Sequence, residues 1–156
     1  MAMLLQKSFR MQTLPKQSRT VQILVIDDDQ EMRSLLKELL EEERFETECA
    51  SNGYDALQKI ARKPFDLIIT DIEMRGLTGL DILPEMKKLR PEASIIVMTS
   101  FANEEVRRRS LEKGASGYLE KPIHTKKLKA LIHEMLVAKQ GARASPGFRE
   151  EAAAKK

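Results

Sequence analysis

The chain has 156 residues, 33% charged and 42% hydrophobic, which suits one globular domain with room for tails. No run approaches the roughly 18 apolar residues of a membrane span, and Met3-Leu4-Leu5 is too short for a secretory apolar core, so a soluble, cytoplasmic protein is expected. The net charge of +3 sits in the ends: residues 1–20 hold four basic residues and no acid, residues 140–156 hold four against two acids, and 19 basic and 22 acidic residues remain for 21–139. A mildly acidic folded part speaks against a nucleic-acid-binding core. The single Cys49 lies in a strand-like run and reads as a buried thiol of a reducing compartment.

Residues 1–20 show no sustained periodicity and are read as a basic, disordered extension. Val21 to Ile26 is a nearly continuous β-branched run, as a buried parallel strand requires, and it ends in Asp27-Asp28-Asp29. Met32, Leu35, Leu36, Leu39 and Leu40 then recur at helical spacing, with Asp28 or Asp29 as cap. Glu46 to Ala50 is a short second strand, and Ser51-Asn52-Gly53 turns into a helix with an Ala56, Leu57, Ile60 and Ala61 stripe. Leu67-Ile68-Ile69-Thr70 delivers Asp71 to a third strand end.

Thr78 or Gly79 opens the next helix, which uses Leu80, Leu83, Met86 and Leu89; Pro84, a turn inside, predicts a bend or a delayed start. Ser94 to Met98 is a fourth strand ending in Thr99-Ser100, and Asn103 caps a helix to Lys113 with Val106 and Leu111 facing inward. Ser116 to Leu119 is a fifth strand, ending at Glu120-Lys121-Pro122. The last helix uses Leu128, Leu131, Ile132, Met135 and Leu136, and residues 140–156 have the composition of a flexible tail. Five strands alternating with five helices imply right-handed crossovers and an α/β, doubly wound parallel sheet. At this size the flavodoxin-like strand order 2-1-3-4-5 is the natural solution, with its crevice between strands 1 and 3.

Asp27, Asp28, Asp71, Thr99, Ser100 and Lys121 then gather at one edge of the sheet. Carboxylates from neighbouring strands repel each other, and a hard divalent cation with oxygen ligands removes that repulsion. Neither His nor the one Cys falls in the cluster, which disfavours zinc. An aspartate in such a site can attack phosphorus, with a lysine and a hydroxyl as partners for the transferred group.

Ile26-Asp27-Asp28, Asp71-Ile72-Glu73-Met74 with Gly79, Met98-Thr99-Ser100 and Gly117-Tyr118-Leu119-Glu120-Lys121-Pro122, in this order over residues 21–139, resemble the receiver domain of bacterial two-component response regulators, in its single-domain, chemotaxis-regulator-like form. The resemblance implies that Asp71 is the phosphoacceptor. It implies that Asp27, Asp28, Asp71 and the Glu73 backbone carbonyl bind Mg2+ (or Mn2+), and that Thr99 and Lys121 contact the phosphoryl group. Tyr118 matches the aromatic that changes rotamer as Thr99 is drawn to the phosphate. The implied donor is a phosphohistidine on a histidine kinase or phosphotransfer protein, and the implied output surface is helix 4, strand 5 and helix 5, read by an unknown downstream protein.

Nothing after residue 140 is long enough for a DNA-binding module, so the expectation is a stand-alone regulator, not an enzyme, monomeric or weakly homodimeric. Two alternatives remain: a phosphate-independent scaffold with the same fold, and a small haloacid-dehalogenase-type phosphatase, which Asp27-Asp28-Asp29-Gln30 disfavours for want of Gly-Thr after its Asp-x-Asp. Arg75 departs from the resemblance, standing where the family usually has Pro. Phe101 and Glu73, two residues past Thr99 and Asp71, occupy positions that tune acyl-phosphate hydrolysis in the family.

Overall fold

The structure is a computed structural model and describes residues 19–141. The expectations for residues 1–18 and 142–156 lie outside the described part. Five parallel strands, β1 (Gln22–Ile26), β2 (Glu46–Ala50), β3 (Leu67–Asp71), β4 (Ser94–Thr99) and β5 (Gly117–Glu120), pair in the order 2-1-3-4-5. The helices between and after them are α1 (Gln30–Glu42), α2 (Gly53–Arg62), α3 (Gly79–Leu89), α4 (Glu104–Glu112) and α5 (Thr125–Gly141). No described helix is long and apolar enough to cross a membrane.

Successive strand side chains point to opposite faces. Leu24, Ile26, Ile68, Ile95, Val97 and Tyr118 pack with Ala56 and Ile60 of α2 and Leu80, Leu83 and Met86 of α3. Ile23, Val25, Leu67, Ile69, Ile96, Met98 and Leu119 pack with Leu36 and Leu40 of α1 and Leu128, Leu131, Ile132 and Met135 of α5. Every residue of β3 is buried, so both of its faces are covered, which is why it reads as one unbroken apolar run.

Several local expectations are corrected. Leu35 is 57% exposed, whereas Leu36 and Leu40 are the buried residues of α1, with Met32 and Leu39 partly buried beside them. Ala61, at the end of the α2 stripe, faces solvent, and Ile82 of α3 is buried in addition to Leu80, Leu83 and Met86. Leu89, at the last turn of α3, is partly exposed. Pro84 does not delay α3: the helix starts at Gly79, where Thr78 and Asp81 form a reciprocal capping box, and Pro84 lies on its exposed side. Asp29, not Asp28, caps α1 by accepting from the Glu31 amide. Arg19 reaches the Asp66 carboxylate at 2.7 Å, at the foot of β3, although it falls in the stretch read as extension.

Candidate functional site

Backbone parity decides which strand-end side chains can meet. Asp27, Asp71 and Lys121 each stand two residues past a side chain of the α1/α5 face (Val25, Ile69 and Leu119), so all three emerge on that side. The ladder persists far enough to hold them there: Asp27 N–H donates to Ala50 O at 3.2 Å, and Lys121 N–H to Thr99 O at 2.8 Å. Lys121 Nζ lies 3.1 Å from Asp71 Oδ2 and 3.4 Å from Asp27 Oδ2. Thr99 has the opposite parity, two residues past Val97, and comes to the site from the α3/α4 side.

Asp27 and Thr99 are fully buried and Asp71 is 3% exposed, while Asp28 is exposed. Carboxylate oxygens of Asp27, Asp28 and Asp71 all lie within 4.8 Å of one another. Asp27 Oδ1 accepts from the Asp29 amide at 2.9 Å, Asp28 Oδ2 from the Arg75 amide at 3.2 Å, and Asp71 Oδ1 from the Glu73 amide at 3.1 Å. Each carboxylate therefore keeps acceptor positions unused by these bonds. Burial, and then the Asp27 carboxylate, push the Asp71 pKa up to about 6, against the opposing pull of Lys121. Burial works against the Lys121 ammonium, but Asp71 and Asp27 outweigh it and hold its pKa above the ordinary lysine value.

The donor set fits a hard dication: three convergent carboxylates from two strand ends, with no nitrogen or sulfur ligand in the cluster. Burial, and after it the Asp27 charge, disfavour the ionised Asp71 carboxylate, a cost that such an ion would offset. The backbone carbonyl of Glu73, two residues past Asp71, belongs to the same loop.

Three features escaped the sequence reading. Arg33 Nη1 donates to the Asp27 carbonyl at 2.7 Å, fixing the loop between β1 and α1. Its signal was available, since the Asp29 cap puts Arg33 one turn into α1 on the side of that loop. The Glu73 side chain reaches across to β4, where its carboxylate accepts from Thr99 Oγ1–H and, at 3.1 Å, from Ser100 N–H. Gly79 packs its backbone on the end of β3: a Cβ there would stand 2.2 Å from Asp71 O. Arg75 contributes its amide to Asp28, while its side chain is 97% exposed, with Nε 3.9 Å from that carboxylate. Tyr118 is buried, and its hydroxyl lies near the Asn103 backbone without a hydrogen bond of normal geometry; burial raises its pKa.

Residues 23–133 match the family model described as the response regulator receiver domain. The chain belongs to the response regulator receiver family. It is 35% identical over 117 residues to the chemotaxis protein CheY of Halobacterium salinarum, covering 75% of this chain and 98% of that one. It is also 35% identical over 116 residues to the transcriptional regulatory protein ZraR of Klebsiella oxytoca, of which it spans only 26%. Among solved structures, the response regulator TrrA of Thermotoga maritima, in complex with Mg2+-BeF, superimposes with a TM-score of 0.68 at 36% identity, covering 74% of this chain and 99% of that one. These likenesses span the five-stranded sheet and the acidic cluster at its edge, so the receiver family named from the sequence motifs is the family of this chain.

Proposed function

We propose that this receiver is a phosphoacceptor switch, in which Asp71 takes a phosphoryl group from a phosphohistidine of a histidine kinase or phosphotransfer protein. The observation that carries this reading is the joint placement of Asp27, Asp28, Asp71 and Lys121 within contact distance at the end of β3. A carboxylate oxygen of Asp71 attacks phosphorus, the bond from phosphorus to the imidazole nitrogen breaks, and the imidazole leaves with that electron pair. The product is an acyl phosphate on Asp71. Lys121 and the Thr99 hydroxyl are the partners for the phosphoryl oxygens.

Asp27, Asp28, Asp71 and the Glu73 carbonyl would hold Mg2+ (or Mn2+), which supplies positive charge that offsets the carboxylates and the arriving phosphoryl group. The Asp71 pKa near 6 leaves it mainly ionised, and so nucleophilic, at neutral pH even in their mutual field. Turnover of a substrate is not part of this reading: the protein assists its own phosphorylation and dephosphorylation, and its output is a change at α4, β5 and α5 that a downstream protein reads in the cytoplasm.

Acetyl phosphate with Mg2+, read by intact mass, tests the proposal. A labile phosphoryl adduct is expected on the wild type and none on Asp71→Asn. A folded wild type that stays unmodified both with acetyl phosphate and with a panel of phosphorylated histidine kinases would sink it, in favour of a phosphate-independent scaffold.

A further inference from the structure

The Thr99 hydroxyl and the Ser100 amide are both engaged in this structure. Glu73, 26 residues away in sequence, spans the mouth of the site and places one carboxylate oxygen on each donor. Thr99 Oγ1 is fixed from its other side as well, accepting from the Phe101 amide at 3.0 Å. Its single proton is therefore committed to Glu73. A carboxylate and a phosphoryl group present the same chemistry to these donors: negatively charged oxygens that accept short, charge-assisted hydrogen bonds.

We propose that the Glu73 carboxylate is a built-in competitor of the phosphoryl group, occupying the donors at the end of β4 until phosphorylation displaces it. Resting on the phosphoacceptor reading above, this gives Glu73 a positioning role through its side chain, separate from any use of its backbone carbonyl. Glu73 is half-buried at the rim, so the displaced side chain has solvent to enter. The donors are held in place before the phosphoryl group arrives, at the cost of breaking two charge-assisted bonds when it does. Glu73 thus raises the donor strength needed to load Asp71.

Beryllofluoride, a tetrahedral anion that stands in for a phosphoryl group, reads this competition without chemistry. Its affinity for the full chain at saturating Mg2+ is measured by fluorine NMR for the wild type, Glu73→Ala and Glu73→Asp, with the Mg2+ affinity of each determined separately. Glu73→Asp keeps the charge but is one methylene too short to span to Thr99. Both variants are expected to bind beryllofluoride about tenfold more tightly than the wild type, equivalent to about 1.4 kcal/mol. The Ser100 amide proton resonance of both ligand-free variants should also shift. Glu73→Asp with wild-type affinity would show that charge alone matters and would overturn the inference. Unchanged or weaker binding by Glu73→Ala would overturn it too. A wild type that takes up no beryllofluoride would remove the phosphoacceptor reading itself, and this inference with it.

Discussion

Phe101 stands beside the site with its side chain 69% exposed and its amide bonded to Thr99 Oγ1. In the phosphoacceptor reading, an apolar ring at this rim would hinder water from reaching an acyl phosphate on Asp71. Phe101→Ala is therefore expected to shorten the phosphoryl half-life several-fold, followed by loss of the mass adduct after the donor is removed; an unchanged half-life would refute the shielding role. Such a residue is legible in the sequence only through its offset from Thr99. The exposure of its ring follows from the turn after β4, which periodicity does not report. Glu73 shows the same limit more sharply. Its backbone place was legible from Asp71, but the contact of its side chain with Thr99 joins two loops 26 residues apart, and no local pattern encodes it. Asp27 and Asp71 were legible because each closes a nearly unbroken apolar run, and Lys121 because of the motif that surrounds it after the short Gly117-Tyr118-Leu119-Glu120 strand.

At the scale of elements, β3 and α3 are joined by a backbone approach too close for any side chain. A Cβ on Gly79 would meet Asp71 O at 2.2 Å, Asp71 C at 3.0 Å and Ile72 Cα at 3.1 Å, all main-chain atoms that cannot rotate away. The Gly79 amide also donates to Ile72 O at 3.2 Å. Gly79→Ala must therefore push α3 off the strand end. The expected loss is about 2 kcal/mol of stability by urea unfolding, within the range for overpacked sites and larger than the helix propensity gained. Wild-type stability in this variant would mean that α3 can slide without strain. The motif spacing marked Gly79 in the sequence, but the reason for it needed the structure. The same holds for the edges of the helix stripes: Leu36, Leu40, Leu80, Leu83 and Met86 are buried as their spacing implies, while Leu35 is exposed and Ile82 is buried beside them. Packing against a twisted sheet selects one edge of a broad apolar face.

For the whole molecule, the acidic edge sets a cost on folding without metal. Asp71 has a folded pKa of about 6 against an ordinary value of 3.8, so between those values the folded protein binds more protons than the unfolded chain. Its contribution to stability therefore falls as pH rises through that window, and the penalty is complete above it. About two units correspond to roughly 3 kcal/mol. In chelator, urea unfolding of Asp71→Asn and wild type should give similar stabilities near pH 4 and a variant more stable by up to roughly 3 kcal/mol near pH 7. A difference independent of pH would exclude this origin. Mg2+ held by the three carboxylates would stabilise the folded wild type by mass action, so its addition is expected to narrow the gap. The strand order and the two-faced core were legible from alternation and run length, because a parallel sheet covered on both sides leaves few other arrangements.

Asp66, at the foot of β3, receives Arg19 on its carboxylate at 2.7 Å and Lys139 of α5 on its carbonyl at 3.1 Å. The first described residues and the last helix thus come together at the pole opposite Asp71. A linker joining residues 19 and 139 would be short, and new termini opened on the loops beside the acidic edge would lie next to the reacting group. The described domain is in this sense laid out for circular permutation, in which fluorescent reporters grafted at those new ends would sit beside Asp71, while reporters attached at residues 19 and 139 would ride at the opposite pole of the sheet.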